Sequence, residues 1–160
     1  MIREPRACRP DDLPVVRHLH KTSFAALARD SHTPEQIAAH LALIDGDDYA
    51  ADVTRSHLLL LEDANGLAAT AGWMALDDEP DTARIRKVFV RPDLARQGTG
   101  KHMVMTAEKI AVSEGCKRFF VRSNINAVPL YRSLGYRPVE EGEMPVGEGV
   151  TLPVVFMRKG

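Results

Sequence analysis

The sequence predicts a mixed-sheet α/β protein. Short runs rich in β-branched and aromatic residues alternate with segments of helical period. The dipeptide Asn65-Gly66 joins two such runs as a tight hairpin, which makes them antiparallel. The strong helical segment Gly98 to Glu114 separates two others, and a helix crossover makes those parallel. The element order is β-α-α-β-β-β-α-β-α-β-β, a single domain over residues 1–160 with about six to seven strands and about four helices.

Ile2 to Cys8 is a short mixed run that fits an edge strand. Asp11-Asp12 then cap a helix with Pro14 in its first turn and Leu13, Val16, Leu19, Ser23 and Leu27 along one face. Thr33-Pro34-Glu35-Gln36 has the form of a capping box, with Ile37, Leu41 and Ile44 sharing the apolar face behind it. Asp45 to Ser56 is acidic and irregular around Tyr49, and reads as a loop or a short helical turn. His57 to Glu62 and Leu67 to Leu76 form the hairpin, and Ala83 to Val90 is a third strand, ended by Arg91-Pro92. Met103, Val104, Ala107, Ile110 and Ala111 define the buried face of the long helix, which Gly115 stops. Lys117 to Ser123 is a strand, Asn126 to Leu134 a short helix ended by Gly135, and Tyr136 to Glu141 pairs with Thr151 to Arg158 across a Glu/Gly-rich loop, Glu141 to Gly149.

Composition narrows the function. With 21 Lys+Arg against 22 Asp+Glu, no global positive field exists to hold a nucleic-acid backbone. The longest strongly apolar stretch, Leu67 to Leu76, is far below the ~20 residues of a membrane span. The N-terminus is charged from Arg3 and lacks the apolar core of a secretory signal, so a cytoplasmic location is expected. Cys8 and Cys116 belong to no Cys-x-x-C pair and read as reduced thiols, while the scattered histidines 18, 20, 32, 40, 57 and 102 give no metal-ligand spacing.

The chemistry concentrates in Arg91 to Lys101, between a strand and the long helix. Free N–H groups at a helix start, the positive end of its dipole and two glycines together make an anion site. A phosphate-binding P-loop would require Gly at 95 and Ser or Thr at 102, where Ala95 and His102 stand; a dinucleotide fingerprint would require Gly at 103, which is Met103.

Four features in order resemble the GNAT superfamily of acyl-CoA-dependent N-acetyltransferases: Val88-Phe89-Val90-Arg91-Pro92 before the loop; Arg96-Gln97-Gly98-Thr99-Gly100 as the loop; Asn124 before Ala127 and Leu130-Tyr131; and Leu134-Gly135-Tyr136 closing the helix. The match runs from about Ala83 to Tyr136, with Met157-Arg158-Lys159 similar to a common last strand, while residues 1–56 match only in layout. The resemblance implies a strongly twisted mixed sheet and an acetyl-CoA donor, with no metal. It implies that main-chain groups of Val88, Phe89 and Val90 pair with the pantetheine arm, that amides of Arg96, Gln97, Gly98, Thr99, Gly100 and Lys101 hold the pyrophosphate, that Asn124 orients the cofactor, and that the Tyr131 hydroxyl lies by the thioester sulfur as general acid. Asn124 and Asn126 also fit as simple helix caps.

Two positions depart from the family pattern. Ala95 replaces a side chain that often contacts the cofactor, and Arg84 stands where histone-acetylating relatives carry a catalytic carboxylate, with Arg86 and Lys87 following. Asp77, Asp78 and Glu79 are candidates for a water-mediated base, or a solvated turn. The acidic stretches Asp45–Asp52 and Glu140–Glu148 would attract a cationic acceptor, Arg84 or Arg86 an acidic one. The implied reaction moves an acetyl group to the amine of a small molecule or peptide by direct attack in a ternary complex; the alternative is a catalytically silent acyl-CoA sensor. Neither a nucleic acid nor a membrane is an expected partner, and a homodimer stays open because sequence alone does not distinguish a pairing strand edge from a solvated one.

Overall fold

The computed structural model describes residues 4–160. Among them, seven strands form one mixed sheet: β1 (Arg6–Ala7), β2 (Leu59–Asp63), β3 (Gly66–Ala75), β4 (Thr82–Val90), β5 (Arg118–Asn124), β6 (Arg137–Gly147) and β7 (Val150–Lys159). Their spatial order is β1-β2-β3-β4-β5-β7-β6. Only β4 and β5 are parallel, as the helix crossover between them requires. The helices are α1 (Leu13–Leu27), α2 (Pro34–Ile44), α3 (Asp47–Arg55), α4 (Thr99–Ser113) and α5 (Val128–Ser133), one more than the sequence indicates.

Each helix forms where one face has something to bury. Helix α1 sinks Val16, Leu19, His20, Ser23 and Phe24 into the molecule, and α4 sinks Met103, Val104, Ala107 and Ala111. The capping box of α2 is complete: Gln36 N–H donates to Thr33 Oγ1 at 3.1 Å, and Thr33 N–H donates to Gln36 Oε1 at 2.9 Å. Asp12 does precede α1, but its carboxylate turns back to accept from Arg9 N–H at 2.7 Å and from the Arg6 guanidinium at 2.9 Å. An arginine fork outcompetes the helix amides for it.

Most boundaries move by one or two residues, and three regions differ more from the sequence reading. The first strand shrinks to Arg6–Ala7, and Ile2 and Arg3 lie outside the described residues. The acidic stretch after Asp45 is helix α3, with Asp47 and Asp48 at its positive N-terminal end and Tyr49 and Val53 buried one turn apart. The Glu/Gly-rich loop is strand: β6 pairs with β7 as far as Gly147 opposite Val150, and the turn is only Glu148 and Gly149, the latter at φ 69°. An edge strand with one solvated side carries charges that read as loop.

The two faces of the sheet bury different layers. On one, Leu59, Leu61, Ala69, Ala71, Trp73, Ile85, Phe119, Val121 and Met157 pack against α4 and α5. On the other, Leu58, Leu60 and Leu67 meet Val16, Leu19, Ile44, Tyr49 and Val53 from α1 to α3. The site is made by a defect in this sheet. β4 pairs with β5 only from Thr82–Arg118 to Ile85–Val121; beyond that point β4 continues against β3 and β5 against β7, so the two strands part.

Candidate active site

The parting of β4 from β5 opens a cleft of about 360 Å³. Its walls are Arg84 to Phe89 of β4, Val121 to Asn124 of β5, Ala127 and Tyr131 beside and on α5, and Tyr49 and Asp52 of α3. A larger cavity of about 670 Å³, lined by Cys8, Val53, His57, Leu58, Trp73 and Ile110, lies elsewhere and touches none of the predicted site residues.

The edge of β4 along the cleft is shaped by a bulge. Thr70 of β3 stands opposite Phe89 and Gly72 opposite Arg86, so β4 carries an extra residue, and Lys87 takes a left-handed φ of 57°. A directed chain of hydrogen bonds pins it. The Thr70 hydroxyl donates to the Lys87 carbonyl at 2.8 Å, which leaves its oxygen to accept from His20 Nε2–H at 2.8 Å. His20 Nδ1 then accepts from the Tyr49 hydroxyl at 2.5 Å, and its ring stacks on Phe89 with centroids 4.0 Å apart. Burial holds the His20 imidazole neutral, far below its usual range, as this chain of donors requires. Sequence reasoning missed His20, Tyr49 and Thr70, because their partners lie on different elements.

Val88 completes the bulge with Lys87; Phe89 and Val90 lie beyond it, and none of Val88, Phe89 and Val90 has a β5 partner. The chain then passes through a turn at Pro92–Leu94 to Gly98, which caps α4 at φ 84° with no side-chain bond. Arg96 is also left-handed, at φ 62°. The first helix-closing bond is from His102 N–H to the Gly98 carbonyl at 3.0 Å, and the preceding amides of Gly98, Thr99, Gly100 and Lys101 donate to no described residue. Of the loop side chains, Arg96, Gln97 and Lys101 are exposed, Gln97 folds back to the Asp93 carbonyl at 3.1 Å, and Thr99 is buried. The loop's common feature is therefore its main chain. Gly100 abuts the end of β4: a Cβ there would stand 3.3 Å from Val90 Cγ2.

Tyr131 is 4% exposed, lines the cleft and makes an edge contact with Tyr136 at 5.5 Å between centroids. Its hydroxyl bonds to no described residue, and burial pushes its pKa well up, so the phenol keeps its proton at neutral pH. Asn124 ends β5 on the cleft wall and precedes the turn Ile125–Ala127 without capping it through its side chain, which removes the cap reading. Glu79 is held at the other end of β4 by Arg158, at 2.9 and 3.0 Å, and by Thr82, which makes its turn a structural clasp away from the cleft.

Residues 15–136 match the family described as Acetyltransferase (GNAT) family. The chain belongs to that family. Among GNAT structures it is similar to a GCN5-related N-acetyltransferase from Rhodopseudomonas palustris, with a TM-score of 0.85 and 23% identity over 98% of this chain and 94% of the other. It is also similar to the PaiA N-acetyltransferase of Thermoplasma acidophilum in complex with coenzyme A, with a TM-score of 0.79 and 16% identity over 99% and 98%. In sequence it is 33% identical over 102 residues to a UPF0039 protein of Schizosaccharomyces pombe, covering 62% of this chain and 65% of that relative's length. These likenesses fix the GNAT fold, and the family activity is acetyl transfer. Within this GNAT chain, Val88, Phe89, Asn124 and Tyr131 line the cleft, and Val90 and the Arg96 to Lys101 loop follow along the chain from the β4 wall to the start of α4.

Proposed function

We propose that this chain is an acetyl-CoA-dependent N-acetyltransferase that acts on the amine of a small molecule in a ternary complex. The observation that carries it is the unpaired β4 edge at Val88–Val90, which leads from Tyr131 to the uncapped start of α4. An amide-bearing arm fits that edge as an added strand, and a pyrophosphate fits the free amides and positive dipole of α4. The arrangement thus suits coenzyme A along its whole length, with the thioester near the bulge.

Acetyl-CoA supplies an activated acyl carbon, and the chain's residues supply position and a proton. The amine nitrogen bonds to the thioester carbonyl carbon, the carbon–sulfur bond breaks, and Tyr131 gives its proton to the departing sulfur. The proton lost by the amine restores the phenol through solvent. A protonated amine is disfavoured beside Arg84, Arg86 and Lys87, so the cleft selects the free base as nucleophile. Holding both partners in one cleft removes most of the entropic barrier.

The test is calorimetry with acetyl-CoA on the wild type and on Gly98→Glu. No neighbour lies within 4 Å of a Cβ at Gly98, but its φ of 84° strains any side chain there, so Gly98→Ala is measured alongside to separate backbone strain from the new charge. Micromolar binding that weakens at least a hundredfold in Gly98→Glu, and by at least tenfold less than that in Gly98→Ala, is expected; equal affinity in the wild type and Gly98→Glu, or the same loss in both variants, would refute the assignment of the loop.

A further inference from the structure

The acceptor side of the cleft carries more positive charge than the fold consumes. Arg84 and Arg86 alternate with buried Ile85 on β4, so both face away from α4; Lys87 follows at the bulge, and Arg122 stands one residue past the last β4–β5 pair. Asp52 is the single carboxylate among the described lining residues. It is already divided between Arg86 at 3.2 Å, Lys87 at 3.8 Å and Arg55 at 2.5 Å.

Arg84 and Arg122 pair with no carboxylate among the described residues. Arg86, only 10% exposed, is held by Asp52 at 3.2 Å and by Met74 Sδ at 3.1 Å, whereas the Arg84 and Arg122 guanidinium groups donate to no described residue. The Nε atoms of Arg84 and Arg86 are shielded from solvent and have no partner among the described residues. Burying an unpartnered guanidinium donor costs stability, and such an arrangement persists where a ligand completes it. Burial, together with the neighbouring Arg86 charge, lowers Arg84 to about 10 and Lys87 to about 7. These residues lie on the opposite side of Val88 from the start of α4, so the donor's pyrophosphate does not satisfy them.

We propose that the acceptor is a small amine carrying an anionic oxygen group, a carboxylate or a phosphate, gripped by Arg84 and Arg122, with the Asp52-held Arg86 adding positive charge beside them. Guanidinium forks match both oxygen geometries, and a cleft of about 360 Å³ suits a small molecule. An anion held at Arg84 and Arg122 leaves the amine in the same cleft that Tyr131 lines. This assignment rests on the acetyltransferase reading above.

Three probes of similar length separate the possibilities: 3-aminopropanoate, 2-aminoethyl phosphate and 1,3-diaminopropane. Each is titrated calorimetrically into the protein with and without coenzyme A, and each is offered with acetyl-CoA while thiol release is followed. At least one anionic probe is expected to bind and be acetylated at least tenfold better than the diamine, and the carboxylate and phosphate arms identify the preferred group. Arg84→Gln combined with Arg122→Gln should remove that preference and leave the coenzyme A affinity unchanged, which also shows that the variant is folded. Preference for the diamine, no binding of either anion, or anion binding that survives the double substitution would overturn the proposal. Anion binding in a protein that does not bind coenzyme A would instead overturn the transferase reading and leave the arginine site standing.

Discussion

At the scale of single residues, Tyr131 and Thr70 do different work. In the proposed mechanism Tyr131 contributes a proton held by burial, so Tyr131→Phe keeps the packing against Tyr136 and removes only the donor. The expected result is a fall in kcat of roughly 10²–10⁴-fold with acetyl-CoA affinity unchanged within about twofold, read from steady-state kinetics beside calorimetry. A kcat within twofold of wild type would remove Tyr131 from the mechanism. Thr70 acts through geometry: its hydroxyl links the neutral His20 ring to the Lys87 carbonyl. Thr70→Val leaves that carbonyl and His20 Nε2–H unpaired and should cost about 1–3 kcal/mol in urea denaturation. Thr70→Ser, which restores the hydroxyl, should recover most of the loss. Such roles were invisible in the sequence because residues 20, 49, 70 and 87 meet only after α1, α3, β3 and β4 have packed.

At the scale of elements, a buried face was the legible signal. The face of α4, the capping box at Thr33 and the Asn65-Gly66 turn each announced themselves, because a local rule and a tertiary contact agree there. Helix α3 and the far half of β6 did not. The first has only Tyr49 and Val53 to bury, and the second is an edge whose exposed residues include Glu140, Glu141 and Glu143. The candidate site followed the same division: the glycine loop and Tyr131 were readable as motifs, whereas the destination of Asp52 against Arg86 required the fold. One close approach sets the position of β3. A Cβ on Gly72 would stand 2.3 Å from the Ser56 carbonyl oxygen, which accepts from Trp73 N–H at 2.7 Å. Because backbone rather than a flexible side chain blocks it, Gly72→Ala should destabilise the fold by about 1–3 kcal/mol. A thermal-melt midpoint equal to wild type would contradict this packing.

At the scale of the whole molecule, a net charge of −1 conceals a separation of charge. Acidic groups are spent on clasps at the periphery, as Asp63 with Arg91 and Glu79 with Arg158, while arginines and Lys87 gather at the cleft around one carboxylate. The separation has a cost measurable by pH. Lys87 is 12% exposed, with its ammonium 4.1 Å from the Tyr49 ring centroid, near Asp52 and facing Arg84, Arg86 and Arg122. Burial, then the Arg86 charge, lowers its pKa from 10.5 to about 7. Between those values the unfolded chain binds a proton that the folded chain has released, so this residue makes unfolding harder as pH rises from about 7 to about 10.5 and has a constant effect on either side. Lys87→Met removes that slope and retains a side chain able to lie on Tyr49. The stability of the variant relative to wild type should therefore be most favourable below pH 7 and should decline steadily between pH 7 and 10. Paired urea denaturations at pH 6 and pH 9 measure the difference, in which the titrations common to both proteins cancel. An unchanged difference would mean that Lys87 keeps its ordinary proton affinity in the fold, and the cleft would then be better compensated than its one carboxylate implies.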